Sequence, residues 1–290
     1  TGSYYLTSSL NIGEVDNKGW ELSANWSDKI GDFSYSVKGM LFDNKNEVLK
    51  AGYSNSDTLI FKSNTDKIWY KGIPVDNYYG YKSNGFFRDQ ADVDATNAKL
   101  PNTLPGDIKY VDQNGDGVIN DQDKVFLGDP FPHYNYSINV DLKYKRWDFS
   151  VLGQGVGKRT GRLNGQEGYP VLMDGSNNSL GAPRQEYMDN RWTPENQNSR
   201  FPRVWTGSST NAVLSDVWLS DASFFRIKTI QVGYTIPRIG NHIRNIRIYM
   251  NAQDAFTFTK WEGLEPERNG GNGNYPRMAS FSLGFKATIL

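Results

Sequence analysis

Alternation of apolar and polar residues is the clearest pattern in this sequence. From Tyr134 to Tyr144, every second residue is apolar or aromatic, and the residues between them are polar or charged. Successive side chains of a β-strand point to opposite faces of the sheet, so this segment predicts a strand with one apolar face. Lys145 and Arg146 separate it from a second alternating segment that begins at Trp147. Together the two segments predict a β-hairpin with a tight turn.

The same alternation recurs elsewhere in the chain. Short apolar runs also occur in amphipathic helices, but strict alternation and many β-branched and aromatic residues favour strands. The pattern predicts about eight strands in all. Besides the hairpin, these are Trp20–Ser27, Phe33–Leu41, Ile230–Ile236, Ile246–Ala252, Phe281–Ile289 and a strand at Tyr4–Leu10.

Short and long connectors alternate between these strands. The long ones, Phe42–His133, Gly157–Phe224 and Phe258–Arg277, are rich in Gly, Asn and Asp. In outer-membrane barrels, short turns face the periplasm and long loops face the outside, whereas a water-soluble sandwich has no need for this regularity. We therefore predict an all-β fold, an antiparallel transmembrane β-barrel with long extracellular loops. Its last strand would end in the periplasm.

The strand count leaves two possible forms of this barrel. Eight strands are enough for a small closed barrel. The size of the loops, however, favours a larger structure. An open arc in lipid would leave backbone groups unpaired at its edges, at several kcal/mol each. Our preferred interpretation is an arc whose missing strands come from sequence upstream of these residues.

Composition excludes several other classes of protein. Cysteine is absent, so disulfides and thiolate metal sites are excluded, and only His133 and His242 carry imidazole groups. The 32 basic residues balance the 32 acidic residues without a basic block, which argues against nucleic acid as a partner. No stretch approaches the ~20 apolar residues that a spanning helix needs. Strands of a transmembrane barrel remain compatible with this modest hydropathy, because they alternate.

A series of distinctive segments follows in order along nearly the whole chain. Each segment alone is a weak signal, but the ordered series is specific. The segments are Asn11–Glu21, Gly80–Phe86, Pro105–Asn120 continuing to Gly128–Pro130, Asn190–Glu195, Asp221–Lys228, Gln231–Pro237 and Phe281–Phe285. In this order they resemble the C-terminal portion of SusC/RagA-type TonB-dependent transporters of the Bacteroidota outer membrane.

The resemblance implies an architecture and a set of partners. Residues 1–290 would be the C-terminal part of a barrel of about 22 strands. The plug, the N-terminal strands and the segment that contacts TonB would lie outside these residues. The whole protein would sit in the outer membrane with a SusD-like surface lipoprotein as its partner, and it would import nutrients without chemical change.

Residues 105–130 contain a segment that matches a calcium-binding loop. Oxygen donors fall at the first, third and fifth positions of the loop, and Gly117 occupies the sharp turn. A hard cation needs six or more oxygens, which this spacing wraps around one point. The alternative is a solvated turn, since Asn-Gly and Asp-Gly favour turns. The predicted ligands of a structural Ca²⁺, with Mg²⁺ as the alternative ion, are Asp112, Asn114, Asp116, the carbonyl of Val118, Asn120 and Asp123.

Other groups that could carry chemistry have simpler interpretations. Gly153–Arg159 lacks the spacing of a phosphate loop and is explained better by glycines at the rim of the barrel. Glu262, Glu265 and Glu267 could serve a glycosidase, but their position in a loop favours solvated charge. Aromatic residues of the first long connector could stack on sugar rings or pack against a lid, or they could belong to the interfacial aromatic girdle or to the cores of the loops themselves. These residues are Tyr78, Tyr79, Tyr81, Phe86 and Phe87.

The leading functional hypothesis is therefore import of oligosaccharides or peptides, with no catalytic residue. A calcium-dependent cell-surface adhesin or carbohydrate-binding β-domain is the alternative, and it would bury its apolar strand faces against another sheet. A secreted glycoside hydrolase is a third possibility, which nothing in the sequence requires. The substrate and the residues that contact it remain unknown at this level, because one fold carries very different cargoes.

Overall fold

Strands account for most of the regular structure. The computed structural model describes residues 13–50, 58–60, 67–163, 184–205, 209–268 and 276–289. The strands are β1 (Glu14–Ile30), β2 (Phe33–Lys50), β3 (Thr58–Ile60), β4 (Lys67–Tyr70), β5 (Asn77–Tyr81), β6 (Ser83–Phe86), β7 (Ile108–Tyr110), β8 (Lys124–Gly128), β9 (His133–Tyr144), β10 (Trp147–Lys158), β11 (Thr160–Arg162), β12 (Leu219–Asp221), β13 (Phe224–Ile239), β14 (Ile243–Thr259) and β15 (Ser280–Ile289).

Helices are short and lie in the long connectors. The α-helices are α1 (Gln90–Ala95) and α2 (Gln185–Asp189), and single turns of 3-10 helix occupy Asp121–Asp123, Thr210–Ala212 and Asp216–Trp218. Among the described residues, no helix is long and apolar enough to cross a membrane.

Seven strands form one antiparallel sheet in the order β1-β2-β9-β10-β13-β14-β15. The all-β antiparallel prediction is confirmed, and each of these strands contains one of the predicted segments. The additional strand predicted at Tyr4–Leu10 lies outside the described residues. Within the part of the chain that the structure describes, β1 and β15 each have one neighbour, so the sheet is an arc with two edges.

The strand register explains why the alternation was so regular. Directly opposite residues of an antiparallel pair lie on the same face of the sheet. One such row crosses all seven strands and is entirely apolar: Trp26, Val37, Val140, Val151, Ile230, Ala252 and Phe281. Trp26 is 67% exposed and Phe281 is 78% exposed. This apolar face is therefore not covered by a second sheet of the described chain.

Aromatic residues concentrate at both ends of the apolar face. Near the short turns, one row contains Phe33, Tyr144, Trp147 and Tyr234 as direct cross-strand partners. Near the long connectors, the rings of Tyr136 and Phe258 stack on the two sides of Phe225, with centroids 6.0 and 6.3 Å apart. Two aromatic bands that flank an apolar band are typical of outer-membrane barrels.

Glycines make room for the second band. A Cβ atom on Gly155 would lie 2.7 Å from the ring of Tyr136, and one on Gly153 would lie 2.5 Å from the ring of Phe225. The rings thus lie across the backbone of β10. This confirms that the glycines of Gly153–Arg159 belong to the wall of the sheet rather than to a phosphate loop.

The turns follow the predicted division into short and long connectors. Gly31 and Lys145 adopt positive φ angles of 61° and 55°, which close the two-residue turns after β1 and β9. The turn after β13 spans Gly240 to His242, and Gly240 also has a positive φ. At the other end of the sheet, the connectors are long, and their described parts are folded.

The main cluster of buried apolar residues in the described chain lies in these long connectors. Trp218 and Leu163 are fully buried at its centre. All three connectors contribute to the same cluster, whose members are Tyr81, Ile108, Tyr110, Ile119, Leu163, Tyr187, Phe201, Trp205, Val217, Trp218, Ala222 and Trp261. We refer to the folded connectors as the loop layer.

Buried polar residues link the first two connectors inside the loop layer. Asp107 is 1% exposed and accepts hydrogen bonds from Arg203 at 2.7 Å and from the Asn211 amide at 2.7 Å. The backbone N–H of Ile108 donates to Asn211 Oδ1 at 2.8 Å. Because these polar groups are buried and satisfied, they fix the two connectors relative to one another.

Candidate functional site

The polar face of the seven-stranded sheet is continuous. A row of direct cross-strand partners is polar in every strand: Ser27, Ser36, Asp141, Ser150, Gln231, Asn251 and Ser282. Near the short turns, a cavity of about 590 Å³ is lined largely by polar side chains, namely Ser27, Asp28, Lys29, Ser34, Tyr35, Ser36, Asp141 and Lys143. This face could line an aqueous path.

One ion pair ties three strands together on the polar face. Arg247 of β14 donates from both Nε and Nη2 to the carboxylate of Asp148 of β10, the Nε bond being 2.9 Å. The same Nη2 donates to Gln231 of β13 at 2.9 Å. The paired donors of arginine match the two carboxylate oxygens, so this contact fixes the strands with defined geometry.

A larger charged cluster joins the sheet to the connector between β14 and β15. Arg226 and Glu265 are 3% and 2% exposed and lie 2.7 Å apart. Glu267 accepts from Arg226 at 2.8 Å and from Lys228 at 2.8 Å. Arg277 contacts Glu267 at 3.0 Å. The cluster fastens this connector to β13.

The expectation that the three glutamates are solvated charges is wrong. Glu265 is buried against Arg226, and Glu262 forms hydrogen bonds of 3.0 and 2.8 Å with Arg200. Burial alone would raise the pKa of Glu265, but hydrogen bonds from the N–H groups of Arg277 and Glu267 and from Arg226 lower it below its ordinary value. A local reading of the sequence missed these partners because they come from distant segments.

The predicted calcium loop is a compact turn closed by its own hydrogen bonds. Asp112 accepts from the N–H of Gly115 at 2.7 Å and from that of Gly117 at 2.8 Å. Gly117 has a φ of 81°, as the sharp turn requires. Asp116 accepts from the N–H of Val118 at 2.8 Å and from the amide of Asn114 at 2.9 Å.

The far end of the loop is anchored in the loop layer. Asp123 is fully buried, and its oxygens accept from the N–H groups of Gln113 and Asn120, both at 2.8 Å. Among the described residues, no three His, Asp or Glu side chains converge closely enough to hold a metal ion. The donor types and the loop shape suit Ca²⁺, but the carboxylates serve backbone N–H groups here. Calcium binding stays a prediction.

The aromatic residues of the first long connector mostly serve the loop layer. Tyr78, Tyr81 and Phe87 are buried, and Phe86 packs against the core. Tyr79 instead faces Phe126, with ring centroids 5.4 Å apart, and Tyr70 packs on the same ring at 5.6 Å. Among the interpretations of this cluster, the buried members fit the one in which they form the core of the loops themselves.

His133 takes part in a contact that sequence reasoning did not identify. Its Nδ1 lies 2.8 Å from Asp43 at the rim of β2, and its Nε2 lies 3.1 Å from Asp129 of the loop layer. Two donated bonds require both ring nitrogens to be protonated. The histidine thus bridges the sheet and the first long connector rather than serving as a metal ligand.

Comparison with curated proteins gives consistent relatives. The chain is 31% identical to TonB-dependent receptor P26 of Formosa agariphila, over 96% of this chain and 30% of that protein. It is 27% identical to TonB-dependent receptor SusC of Bacteroides thetaiotaomicron, over 94% of this chain and 26% of that protein. This chain is a relative of the SusC-type TonB-dependent receptors. It spans about 30% of the length of the first of these relatives.

Solved structures confirm the fold. The RagAB peptide transporter matches with a TM-score of 0.73 and 20% identity, over 95% of this chain and 29% of that chain. The RagAB peptide importer in its closed-closed state matches with a TM-score of 0.69 and 19% identity. No protein-family profile matches the chain. The arc of strands therefore shares its fold with part of the RagAB transporter chain. Together with the curated relatives, this confirms the resemblance recognised in the sequence.

Proposed function

We propose that this chain forms part of the wall and the loop layer of an outer-membrane β-barrel that imports nutrients. The observation that carries the proposal is the sheet itself. An exposed apolar face lies between two aromatic bands, the opposite face is polar, and a folded loop layer covers one end. Lipid would cover the apolar face, and the imported molecule would pass along the polar face.

The two edges of the arc support a larger barrel. Strand edges in lipid leave backbone N–H and C=O groups without partners, at several kcal/mol for each group. We propose that further strands outside these residues pair with β1 and β15 and that a plug fills the interior. Residues 1–290 would then be the C-terminal part of the barrel, with the short turns and the C-terminus in the periplasm.

The names of the relatives support the finer proposal. We propose that the whole protein draws energy through TonB, has a SusD-like lipoprotein as its partner and imports oligosaccharides or peptides. The reported relatives are named as receptors or as a transporter, and we assign no catalytic residue. The adhesin alternative would bury its apolar strand faces, whereas the described face is exposed.

The first experiment is extraction of the native full-length polypeptide from outer membranes in mild detergent. Its intact mass and the proteins that co-purify with it are then measured. We expect a polypeptide several times larger than this chain, in complex with a lipoprotein. Recovery of a polypeptide of this size from the soluble fraction would overturn the transport proposal and favour the adhesin.

We further propose that the loop from Asp112 to Asp123 binds Ca²⁺ and holds one part of the loop layer rigid. The order of its oxygen donors and the turn at Gly117 support this. Calorimetric titration of the full-length protein with CaCl₂ and MgCl₂ is the test. Binding should be lost in Asp116→Asn and retained in Asp121→Asn, an exposed acidic residue of the same loop outside the predicted set. Equal titrations of the wild type and Asp116→Asn would contradict the proposal.

A further inference from the structure

A cavity of about 330 Å³ lies where the polar face of the sheet meets the loop layer. Met40, Ser137 and Gln154 line it from three neighbouring strands, and they are direct cross-strand partners. Phe42 and Phe224 add aromatic surface to the lining. The cavity therefore combines hydrogen-bonding groups with apolar surface, as ligand sites commonly do.

Arg159, which lies between β10 and β11, also lines this cavity. Its Nε donates to the carbonyl of Pro130 at 3.1 Å, and its Nη1 donates to those of Pro266 at 3.3 Å and Glu267 at 3.0 Å. A guanidinium has five N–H donors, so these bonds leave the two donors of Nη2. The contacts of Arg159 with the described residues use Nε and Nη1 but not Nη2, and the side chain is half-buried. The two donors of Nη2 are thus left for a ligand.

Among the described residues, no carboxylate forms an ion pair with Arg159. Glu267, the acidic residue in the lining, is already paired with Arg226, Lys228 and Arg277. Burial lowers the pKa of Arg159, which reflects the cost of holding its charge away from water. Backbone carbonyls satisfy its donors in part, but they do not neutralise the charge.

The charged groups around Arg159 are engaged with one another. Arg226, Lys228 and Arg277 form ion pairs with Asp254, Glu265 and Glu267. Asp129, next to Pro130, contacts His133, which also contacts Asp43. These carboxylates therefore already have cationic partners, and a carboxylate that enters the cavity would meet the guanidinium of Arg159.

We propose that this cavity binds a carboxylate group of the imported molecule and that Arg159 recognises it. The inference rests on the proposed transport function and names the chemical class of its substrate. Hydrogen bonds between a guanidinium and a carboxylate are short and strong. Gln154 and Ser137 would bind polar groups next to the carboxylate, and the rings of Phe42 and Phe224 would contact its apolar neighbours. The carboxylate could belong to a peptide or to a uronic acid of an oligosaccharide.

Two matched pairs of probes test the inference on the full-length transporter in detergent. The first pair is trialanine and its C-terminal amide, and the second is trigalacturonate and its methyl ester. Calorimetry gives the four affinities. We expect the acid of one pair to bind about 10- to 100-fold more tightly than its neutral partner, as for a charged hydrogen bond. The pair with this preference identifies the source of the carboxylate.

Variants then assign the preference to Arg159. Arg159→Gln should reduce the preference for the acid over its neutral partner to less than about twofold. Arg159→Lys should keep part of this preference, since the positive charge remains. Arg238→Gln is the matched control, because Arg238 is exposed and its contact within the described part of the chain is a hydrogen bond to the carbonyl of Gly240. The shift in gel mobility on heating checks that each variant is folded.

Several outcomes would overturn the inference. The wild-type protein alone can overturn it, if the acid and its neutral partner bind with equal affinity in both pairs. It would also be overturned if none of the four probes binds to the wild-type protein. A preference that persists in Arg159→Gln would also overturn it. The transport proposal is tested separately by the mass, location and partners of the native protein, so the two failures are distinguishable.

Discussion

Arg226 offers the sharpest test of how the loop layer is fastened to the sheet. It donates to Thr257 and Glu267 at 2.8 Å each and to Glu265 at 2.7 Å. The substitution Arg226→Met keeps a long apolar side chain but removes the charge and all three hydrogen bonds. Glu265, which is 2% exposed, would then be left buried without its cation.

The size of the expected destabilisation follows from the burial of both Arg226 and Glu265. Removal of one member of a buried ion pair destabilises a structure by about 3–5 kcal/mol, because the remaining charge is uncompensated. Glu265 would keep its hydrogen bonds from the N–H groups of Glu267 at 3.0 Å and Arg277 at 3.1 Å. We therefore expect the lower end of that range, about 3 kcal/mol, which corresponds to an increase of roughly 10²-fold in the opening equilibrium of the connector.

Hydrogen exchange measured by mass spectrometry reports this equilibrium directly. In Arg226→Met, the amides of Glu267 and Arg277 should exchange roughly 10²-fold faster than in the wild type. In the matched control Arg238→Met, which removes an exposed arginine, they should exchange at the wild-type rate. Wild-type protection of both amides in Arg226→Met would refute the reasoning, because it would mean that the buried pair does not hold the connector.

Three further predictions follow from the same structure. The pKa of Glu265 is lowered in the folded protein, so the ionised carboxylate stabilises the fold fully above its ordinary pKa of 4.5. This stabilisation is lost as the pH falls through the lowered pKa. Hydrogen exchange of the Glu267 amide should therefore quicken only in acid. Val151→Lys places a charge on the apolar face and should lower the free energy of unfolding by about 2–4 kcal/mol, measured by urea titration in lipid. Ser150→Lys, on the polar face of the same strand, should have little effect. Gly155→Ala brings a methyl group to 2.2 Å from the backbone carbonyl oxygen of Phe224 and to 2.7 Å from the ring of Tyr136, so it should cost about 1–3 kcal/mol or more in the same titration. Gly39→Ala, with open space around it, should be nearly neutral.

The sheet was largely predictable because its pattern is local. Each strand alternates in sequence, and the hairpin at Lys145 and Arg146 fixes the register of its two strands. The strand ends were less predictable. Beyond Phe42, β2 runs on to Lys50 through mainly polar residues that pair with β1, so the pairing continues where the alternation of apolar residues stops.

The loop layer was not predictable, because its contacts join distant segments. The N–H of Tyr81 donates to the carbonyl of Leu214, and Asn211 binds Asp107. Neither segment has a hydrophobic period that would reveal its partner. For the same reason the sequence predicts a solvated charge at Glu265 and gives no sign of the contacts that Arg159 makes. A single sequence gives residue types in such regions, but it does not give the neighbours that decide what those residues do.

The shared core of the three long connectors has a consequence for the engineering of selectivity. Trp218 and Leu163 come from the second connector, Tyr81 from the first and Trp261 from the third, and all four lie in one cluster. A chimera that exchanged one connector between homologous proteins would place core residues of one protein against those of another. The smallest unit that can be transplanted is therefore the whole loop layer, and recombination should tolerate crossover points within the strands better than within the connectors.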